Sequence, residues 1–286
     1  MFKFLILFTV LSFTISTMAQ TGVDLGLNKK KKFISIKSLN KAEKERIEDF
    51  FITDNDTLVN LKNDLTEAEL KLFCECYTND TIIKKYKEAV FQYSWSRNKK
   101  LKIRQWNAEI KVYFDSAIPK DVKKEFIAFY KPLNEVKNLK IDFVKNKDAS
   151  NYVIKTSDTI ISQFGADESD YKETHPLKRI SYNIATDNTY KFYSAITLID
   201  LNRLEDKSLL LQKLKQVFFI SLGQFVVNER ADETSLLSTR YKNSSTISKM
   251  DITLLKMHYL KIFDQAISAY VINELVKKSK TLCTDE

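Results

Sequence analysis

The stretch Gln216-Val217-Phe218-Phe219-Ile220-Ser221-Leu222-Gly223 lies near the centre of a long apolar segment. This segment predicts a helix that begins near Lys207, because its large apolar side chains recur at helical spacing. A loop of turn-forming residues follows from 228 to 245, and final helices are predicted from about 249 to 278. The apolar residues that set the spacing are Leu211, Leu214, Phe218, Leu222 and Phe225.

Upstream of this helix the hydrophobic pattern alternates with a period of two, which is typical of half-buried strands. Strands are predicted at 108–114, 139–144, 152–156, 179–183 and 190–200, and the last is long enough to form a sheet edge. A helix is predicted between the first two strands, because the proline of Ile118-Pro119 suits a first helical turn. This order predicts an α+β fold with a mixed sheet and packed helices.

The chain begins with one early basic residue, Lys3, and an apolar run that ends in small residues at Ala19. This pattern predicts a cleavable signal peptide over residues 1–19. The run is about a dozen residues, well short of the roughly 20 that a membrane-spanning helix needs, so a membrane anchor is the weaker alternative. We therefore expect an exported protein, periplasmic or extracellular.

Three further divisions of the chain are predicted after the signal peptide. Residues 20–40 read as a flexible or extended lead-in, since they are rich in Lys and Asn and lack helix caps. Residues 41–93 read as a helical N-terminal extension, with one helix at 41–51, a second opened by the capping box Thr66 to Glu69, and a third at 81–93. Residues 94–280 form the main domain.

The formal net charge of +9 raises the question of a polyanionic partner. Lysines are interspersed with Asp and Glu along the chain, and this mixture indicates a solvated surface more than a nucleic-acid interface. We expect no nucleic-acid partner, and no stable membrane insertion, because no second apolar segment is long enough to cross a bilayer.

The three cysteines, Cys74, Cys76 and Cys283, permit at most one intramolecular disulfide. The expected bridge joins Cys283 to Cys74 or to Cys76 and ties the C-terminal tail to the second predicted helix. The pair Cys74 and Cys76 is the alternative, as a metal site, but two thiolates without neighbouring His or Cys form a poor one.

The segment 216–223 resembles the active-site helix of zincin metallopeptidases. Their H-E-x-x-H motif places two zinc-binding His and a general-base Glu on one helix face, and often continues as S-L-G. Ser221-Leu222-Gly223 stands where that S-L-G would be. Downstream, Ser235-Leu236-Leu237 resembles the S-I-M of the Met-turn, and Ile247-Ser248-Lys249-Met250-Asp251-Ile252 followed by Tyr259 resembles the start of the last zincin helix.

A closer resemblance is to a family of secreted bacterial proteins of unknown function that have a degenerate zincin-like domain. These proteins have an R-W dipeptide before the first strand, which Arg104-Gln105-Trp106-Asn107 matches loosely, and they lack an intact H-E-x-x-H. The resemblance covers roughly residues 93–263. For that part the resemblance implies a zincin-like fold, and it is stronger evidence for the fold than for any activity.

The residues at the catalytic positions differ from those of zincins. At the first ligand, general base, second ligand and third ligand positions stand Gln216, Val217, Ile220 and Val226. Valine and isoleucine neither bind metal nor transfer protons. The chain has two His only, His175 and His258, and we expect His258 to be a partly buried, hydrogen-bonded side chain. We therefore expect no metal, no cofactor and no catalytic residue of the zincin type.

The loop after the predicted helix replaces the segment that borders the zincin cleft, and its polar residues are candidates to line a ligand groove. They are Asn228, Glu229, Arg230, Asp232 and Glu233. An ordinary surface loop is the alternative. The strand at 190–200 is a candidate to pair with an extended peptide, as edge strands do.

The leading hypothesis is an exported, non-catalytic binding or scaffold protein that holds a peptide or an envelope polysaccharide. One alternative is an envelope hydrolase that uses the carboxylates Glu229, Asp232 and Glu233. Another is a structural envelope protein that contacts polysaccharide.

Overall fold

The computed structural model describes residues 33–39, 44, 46–61, 65–91, 102–106, 108–160, 171–260 and 267–283. The predicted signal peptide, residues 1–19, lies outside these ranges. Within the ranges, no helix combines the length and the apolar character that crossing a bilayer requires.

A small antiparallel sheet lies at the N-terminal end of the described chain. It contains β1 (Ile34–Ser35), β2 (Ile47–Ile52) and β3 (Thr57–Leu61), in the order β1-β3-β2. The prediction of a helix at 41–51 is therefore wrong for Ile47 onward. Of the lead-in at 20–40 the structure describes 33–39, which contains the extended strand β1. The β-branched and aromatic run of β2 is followed by a polar turn and a second such run, so hairpin pairing outweighs the helical spacing.

Two helices follow this sheet, as the capping box predicts. Helix α1 (Glu67–Tyr77) begins at Thr66, whose hydroxyl accepts from the N–H of Glu69, and the Glu69 carboxylate accepts from the N–H of Thr66. Helix α2 (Asp80–Phe91) follows after two residues. The N-terminal region is thus mixed, with strands before its helices.

The central mixed sheet contains six strands within the described residues. They are β4 (Gln105–Trp106), β5 (Ile110–Phe114), β6 (Ile141–Val144), β7 (Tyr152–Thr156), β8 (Ile180–Thr186) and β9 (Lys191–Ile199). The order is β6-β5-β7-β9-β8, with β8 antiparallel to β9 and the other pairs parallel. Strand β4 pairs in parallel with the first two residues of β9. The predicted α+β class and mixed sheet are confirmed.

The prediction that the strand at 190–200 forms a sheet edge is wrong. Strand β9, predicted at 190–200 as an edge, lies between β7 and β8, and it is the antiparallel β8 that occupies the end of the sheet order. The length of β9 goes with its three pairing partners, β4, β7 and β8, and not with an edge position. Strand β9 is therefore paired on both sides and is not open to an extended peptide.

The remaining helices are α3 (Lys120–Tyr130), α4 (Lys207–Gly223), α5 (Lys249–His258) and α6 (Ala269–Leu282). Helices α3 and α4 cover one face of the sheet through aromatic rings. The ring centroid of Phe126 on α3 lies 5.3 Å from that of Phe114 on β5 and 5.3 Å from that of Phe218 on α4. Phe218 in turn lies 5.0 Å from Tyr152 on β7. The core therefore lies between this helix pair and the sheet.

A disulfide joins Cys74 on α1 to Cys283 at the end of α6, across a sequence separation of 209 residues. Cys76 is a free, buried thiol, and burial raises its pKa to about 12. Of the two pairings open from the sequence, the structure thus contains the one with Cys74. The bridge stabilises the packing of the last helix on the first, since a cross-link over so long a loop removes much unfolded-state entropy.

Candidate functional site

Helix α4 is enclosed by the rest of the protein. From Leu210 to Gly223 only Gln212 is partly exposed; the other side chains are buried. Polar atoms in such surroundings need hydrogen-bond partners inside the protein. Each buried or half-buried polar side chain of this part of α4 donates to a backbone carbonyl group, as seen for Gln212, Lys213, Lys215, Gln216 and Ser221.

Gln216, at the position of the first zincin ligand, is 1% exposed and acts as a hydrogen-bond donor. Its Nε2 donates to the carbonyl oxygens of Leu236 at 3.2 Å and of Ser238 at 2.7 Å. The side chain therefore holds the turn that the sequence places in register with the zincin Met-turn. No part of this arrangement was evident from the sequence, because two backbone carbonyls in a loop leave no signature there.

The two residues that the resemblance aligns with the general base and the second ligand of zincins lie in the hydrophobic core. Val217 and Ile220 are 0% and 1% exposed. At the third position, Val226 is half-buried, and its N–H donates to the carbonyl of Ala89 on α2 at 2.8 Å. Within the described residues no group of three or more His, Cys, Asp or Glu side chains is placed to hold a metal ion. The residues present do not fit the zinc that the resemblance implies.

Asp251, on the first turn of α5, fixes the other side of the same turn. Its Oδ1 accepts from the Ser235 hydroxyl at 2.6 Å, and its Oδ2 accepts from the N–H of Leu236 at 2.8 Å. Its own N–H donates to the hydroxyl of Ser248, the cap of α5. Burial raises the pKa of this carboxyl group despite these hydrogen bonds. The segment 235–238 is thus held from α4 and from α5.

The end of α4 packs closely on His258. A Cβ atom at Gly223 would lie 2.4 Å from the ring of Phe225 and 2.8 Å from Nε2 of His258, so glycine is required by space. His258 is fully buried; its Nε2 donates to the Arg104 carbonyl at 2.8 Å, and its Nδ1 accepts from the Tyr86 hydroxyl at 3.2 Å. Burial lowers its pKa to about 3, so the ring is neutral.

The segment before β5 also contacts the end of α4 and His258. The indole of Trp106 donates to the Ser221 carbonyl at 3.3 Å, and the amide of Gln105 donates to the His258 carbonyl. From the other side, the Tyr259 hydroxyl donates to the Leu222 carbonyl at 2.6 Å. The residues that carry the family resemblance therefore meet around the end of α4, in structural contacts.

A pocket of about 340 Å³ lies between α2, the loop after α4 and the start of α5. Val226, Leu237, Met250 and Leu254 are among its apolar residues. The pocket takes in three of the five predicted groove residues, Asn228, Arg230 and Asp232, whereas Glu229 and Glu233 lie outside it. We call it the loop pocket. The turn that the Gln216 amide holds supplies two of its lining residues, Ser235 and Leu237.

The charged groups of the loop pocket differ in their hydrogen bonds and in their exposure. Glu88 accepts from the Asn228 amide at 3.3 Å, and Asp232 accepts from the hydroxyl and the N–H of Thr234 at 2.6 and 2.8 Å. Lys85 and Lys249 have exposed side chains that also line it. The pocket thus combines an apolar wall with accessible ammonium groups.

Two of the carboxylates in the hydrolase alternative, those of Asp232 and Glu233, have lowered pKa values. Hydrogen bonds from Thr234 lower the pKa of Asp232, and the hydrogen bond from Lys242 at 2.6 Å lowers that of Glu233. A glycosidase needs one carboxyl group with a raised pKa, to act as the general acid. Neither of these two groups meets that requirement.

Replacing Gln216 by Leu is expected to lower the free energy of unfolding by about 1–3 kcal/mol, because the buried carbonyls of Leu236 and Ser238 lose a donor. Urea unfolding followed by circular dichroism measures the change. The control is Gln212→Leu, which removes one hydrogen bond from a half-buried side chain and should cost less. An equal or larger loss in the control would contradict the assigned role of Gln216.

Acid is expected to destabilise the protein through His258. Its pKa is near 6.5 in the unfolded chain and about 3 in the folded one, so the unfolded state binds the proton first. Stability present above pH 6.5 is lost as the pH falls, by about 1.4 kcal/mol per pH unit between roughly pH 6 and 4. Urea unfolding at pH 7, 6 and 5 measures this slope. In His258→Asn the slope should fall by that amount, and an unchanged slope would refute the assignment.

Comparison of the chain with protein-family models and with curated protein sequences finds no match in either.

Proposed function

We propose that this chain is an exported, non-catalytic binding or scaffold protein, built on a zincin-like fold that has lost its zinc ligands and general base. The order of elements supports the proposal: a mostly parallel sheet with an antiparallel strand at its end, then α4, a turn and a final helical region. The segments that resemble zincins meet at α4, where a zincin would have its active site.

One observation carries the non-catalytic part of the proposal. The amide of Gln216 points at the carbonyls of Leu236 and Ser238, and both of its N–H groups can be satisfied there. With Val217 and Ile220 in the core, no donor atom or proton acceptor is supplied at these positions for activating water.

For the ligand we propose a peptide or an envelope polysaccharide, bound at the loop pocket. The volume lies at the lower end of the range of about 300–1,000 Å³ for small-molecule sites, so it accommodates one or two residues of a longer chain. Met250 at its wall is a flexible side chain that adapts to different shapes. The ammonium groups of Lys85 and Lys249 favour ligand groups that are anionic or rich in acceptors.

The purified mature protein is expected to contain no stoichiometric zinc and to leave casein intact. Elemental mass spectrometry and gel electrophoresis of the casein measure the two results, with a zinc-supplemented sample as control. Stoichiometric metal together with hydrolysis that a chelator abolishes would overturn the proposal, since it would require donors that these positions lack.

The ligand site has a separate test. Binding of a tryptic digest of casein and of a soluble envelope polysaccharide is measured by biolayer interferometry. Lys85→Ser/Lys249→Ser should weaken binding at least fivefold, because the pocket loses both ammonium groups. Lys124→Ser/Lys147→Ser is the matched control, with the same charge change at exposed lysines elsewhere. Equal loss in both variants, or no binding of either probe by the unaltered protein, would contradict the assigned site.

A further inference from the structure

Strand β2 lies at one end of the small N-terminal sheet. Within the described ranges it pairs with β3 alone, since the sheet order is β1-β3-β2. Three consecutive residues at its end have exposed apolar side chains: Phe50 at 60%, Phe51 at 45% and Ile52 at 74%. They make up half of the exposed large hydrophobic residues in the described part of the chain. Single exposed apolar residues are ordinary, whereas a contiguous cluster is typical of an interaction site.

The hairpin register shows which backbone groups of β2 point outward. The N–H of Thr53 donates to the carbonyl of Asp56 at 2.8 Å, so the pair next to the turn is hydrogen-bonded. Pairs along an antiparallel ladder alternate between hydrogen-bonded and non-hydrogen-bonded ones. The pairs that Ile52 and Phe50 form with β3 are therefore of the second type. The N–H and C=O groups of these two residues consequently point away from β3, toward the open edge.

The N–H of Phe50 is one of these outward groups, and its hydrogen bond is local. It donates to Oδ1 of the preceding residue, Asp49, at 2.9 Å. An edge of outward N–H and C=O groups is a template for another strand, and proteins commonly protect such an edge with Lys or Pro. Strand β2 contains neither, and its register shift, between Ile47 and Asp49, lies before the exposed residues. The edge is thus open to an added strand.

The charges beside this edge limit the kind of strand that fits. Strand β2 and its turn carry Glu48, Asp49 and Asp54, and there is no Lys or Arg from 47 to 55. A second copy of β2 would bring the same carboxylates to the edge, and like charges across a strand pair are destabilising. The chain as a whole has a formal net charge of +9. A basic strand is therefore attracted to this edge and repelled by most of the remaining surface.

We propose that β2 binds an extended segment of another protein, which has an apolar centre and basic ends, in antiparallel pairing. The backbone of the segment pairs with the outward N–H and C=O groups of Phe50 and Ile52, and its apolar side chains contact those two residues. Its basic side chains face the carboxylates of β2 and the turn. This surface shares no residue with the loop pocket, so either assignment can fail while the other stands.

Fluorescence anisotropy with the labelled heptapeptide Lys-Thr-Val-Ile-Val-Lys-Lys tests strand pairing. In antiparallel register its two valines lie opposite Ile52 and Phe50, and its lysines lie opposite the three carboxylates. Methylation of both valine nitrogens removes the donors to the outward carbonyls while the charges and apolar side chains remain, so binding should weaken about tenfold or more. A peptide with Glu in place of each Lys should also bind about tenfold more weakly or worse.

The same titrations can contradict the proposal. Absence of binding by the parent peptide would overturn it. Equal binding of the N-methylated peptide would overturn strand pairing, and equal binding of the acidic peptide would overturn the charge preference.

A pair of variants tests whether the peptide binds at β2. Phe50→Thr/Ile52→Thr keeps β-favouring residues at exposed positions, so the hairpin should remain folded while the apolar contacts are lost. Binding of the parent peptide should fall about fivefold or more. Tyr193→Thr/Tyr270→Thr, at exposed aromatic positions elsewhere, is the matched control and should bind as the unaltered protein does. Circular dichroism verifies the fold of both variants, and equal binding by the two would overturn the assignment to β2.

Size-exclusion chromatography distinguishes a basic strand from a second copy of the chain. The unaltered protein should elute as a monomer at the concentrations of the titration. A dimer that Phe50→Thr/Ile52→Thr dissociates would show that β2 pairs with itself, and would overturn the proposal.

Discussion

The burial of α4 on all sides is the constraint on which the rest of the fold depends. A helix packed on only one side can leave polar side chains in water, but one enclosed on all sides must satisfy each of them internally. For Gln212, Lys213, Lys215 and Gln216 the partners are carbonyl groups of the chain segments that cover the helix. Lys215, for instance, donates to the carbonyl of Ser244 at 2.8 Å and lies 4.3 Å from the ring centroid of Phe129.

These contacts give structural roles to the residues on which the resemblance to zincins rests. Gly223 leaves space for His258, Trp106 and Tyr259 bind carbonyls of the last turn of α4, and Asp251 positions the turn at 235–236. None of these roles involves an ion. The loop pocket depends on the same contacts, because its wall is the segment that Gln216 and Asp251 hold in place.

The sequence predicted the α+β class, the central strands and the helices after Thr66, because their periodicity and caps are local signals. It failed at β2, where helical spacing coincides with a β-rich hairpin sequence, and at β9, where strand order depends on distant partners. Of the five candidate groove residues from the sequence, Asn228, Arg230 and Asp232 line the loop pocket. The sequence missed Lys85 and Lys249 as lining residues, because each lies on a helix outside the loop that it singled out.

The disulfide between Cys74 and Cys283 joins two residues that are made at very different times during synthesis. Synthesis proceeds from the N-terminus, so Cys74 and Cys76 exist together for more than 200 residues of elongation before their third companion is made. The bridge therefore cannot assist any packing that precedes the synthesis of α6. In the folded protein Cys76 is enclosed in the core, and Cys74 is the one of the two early thiols that pairs with Cys283.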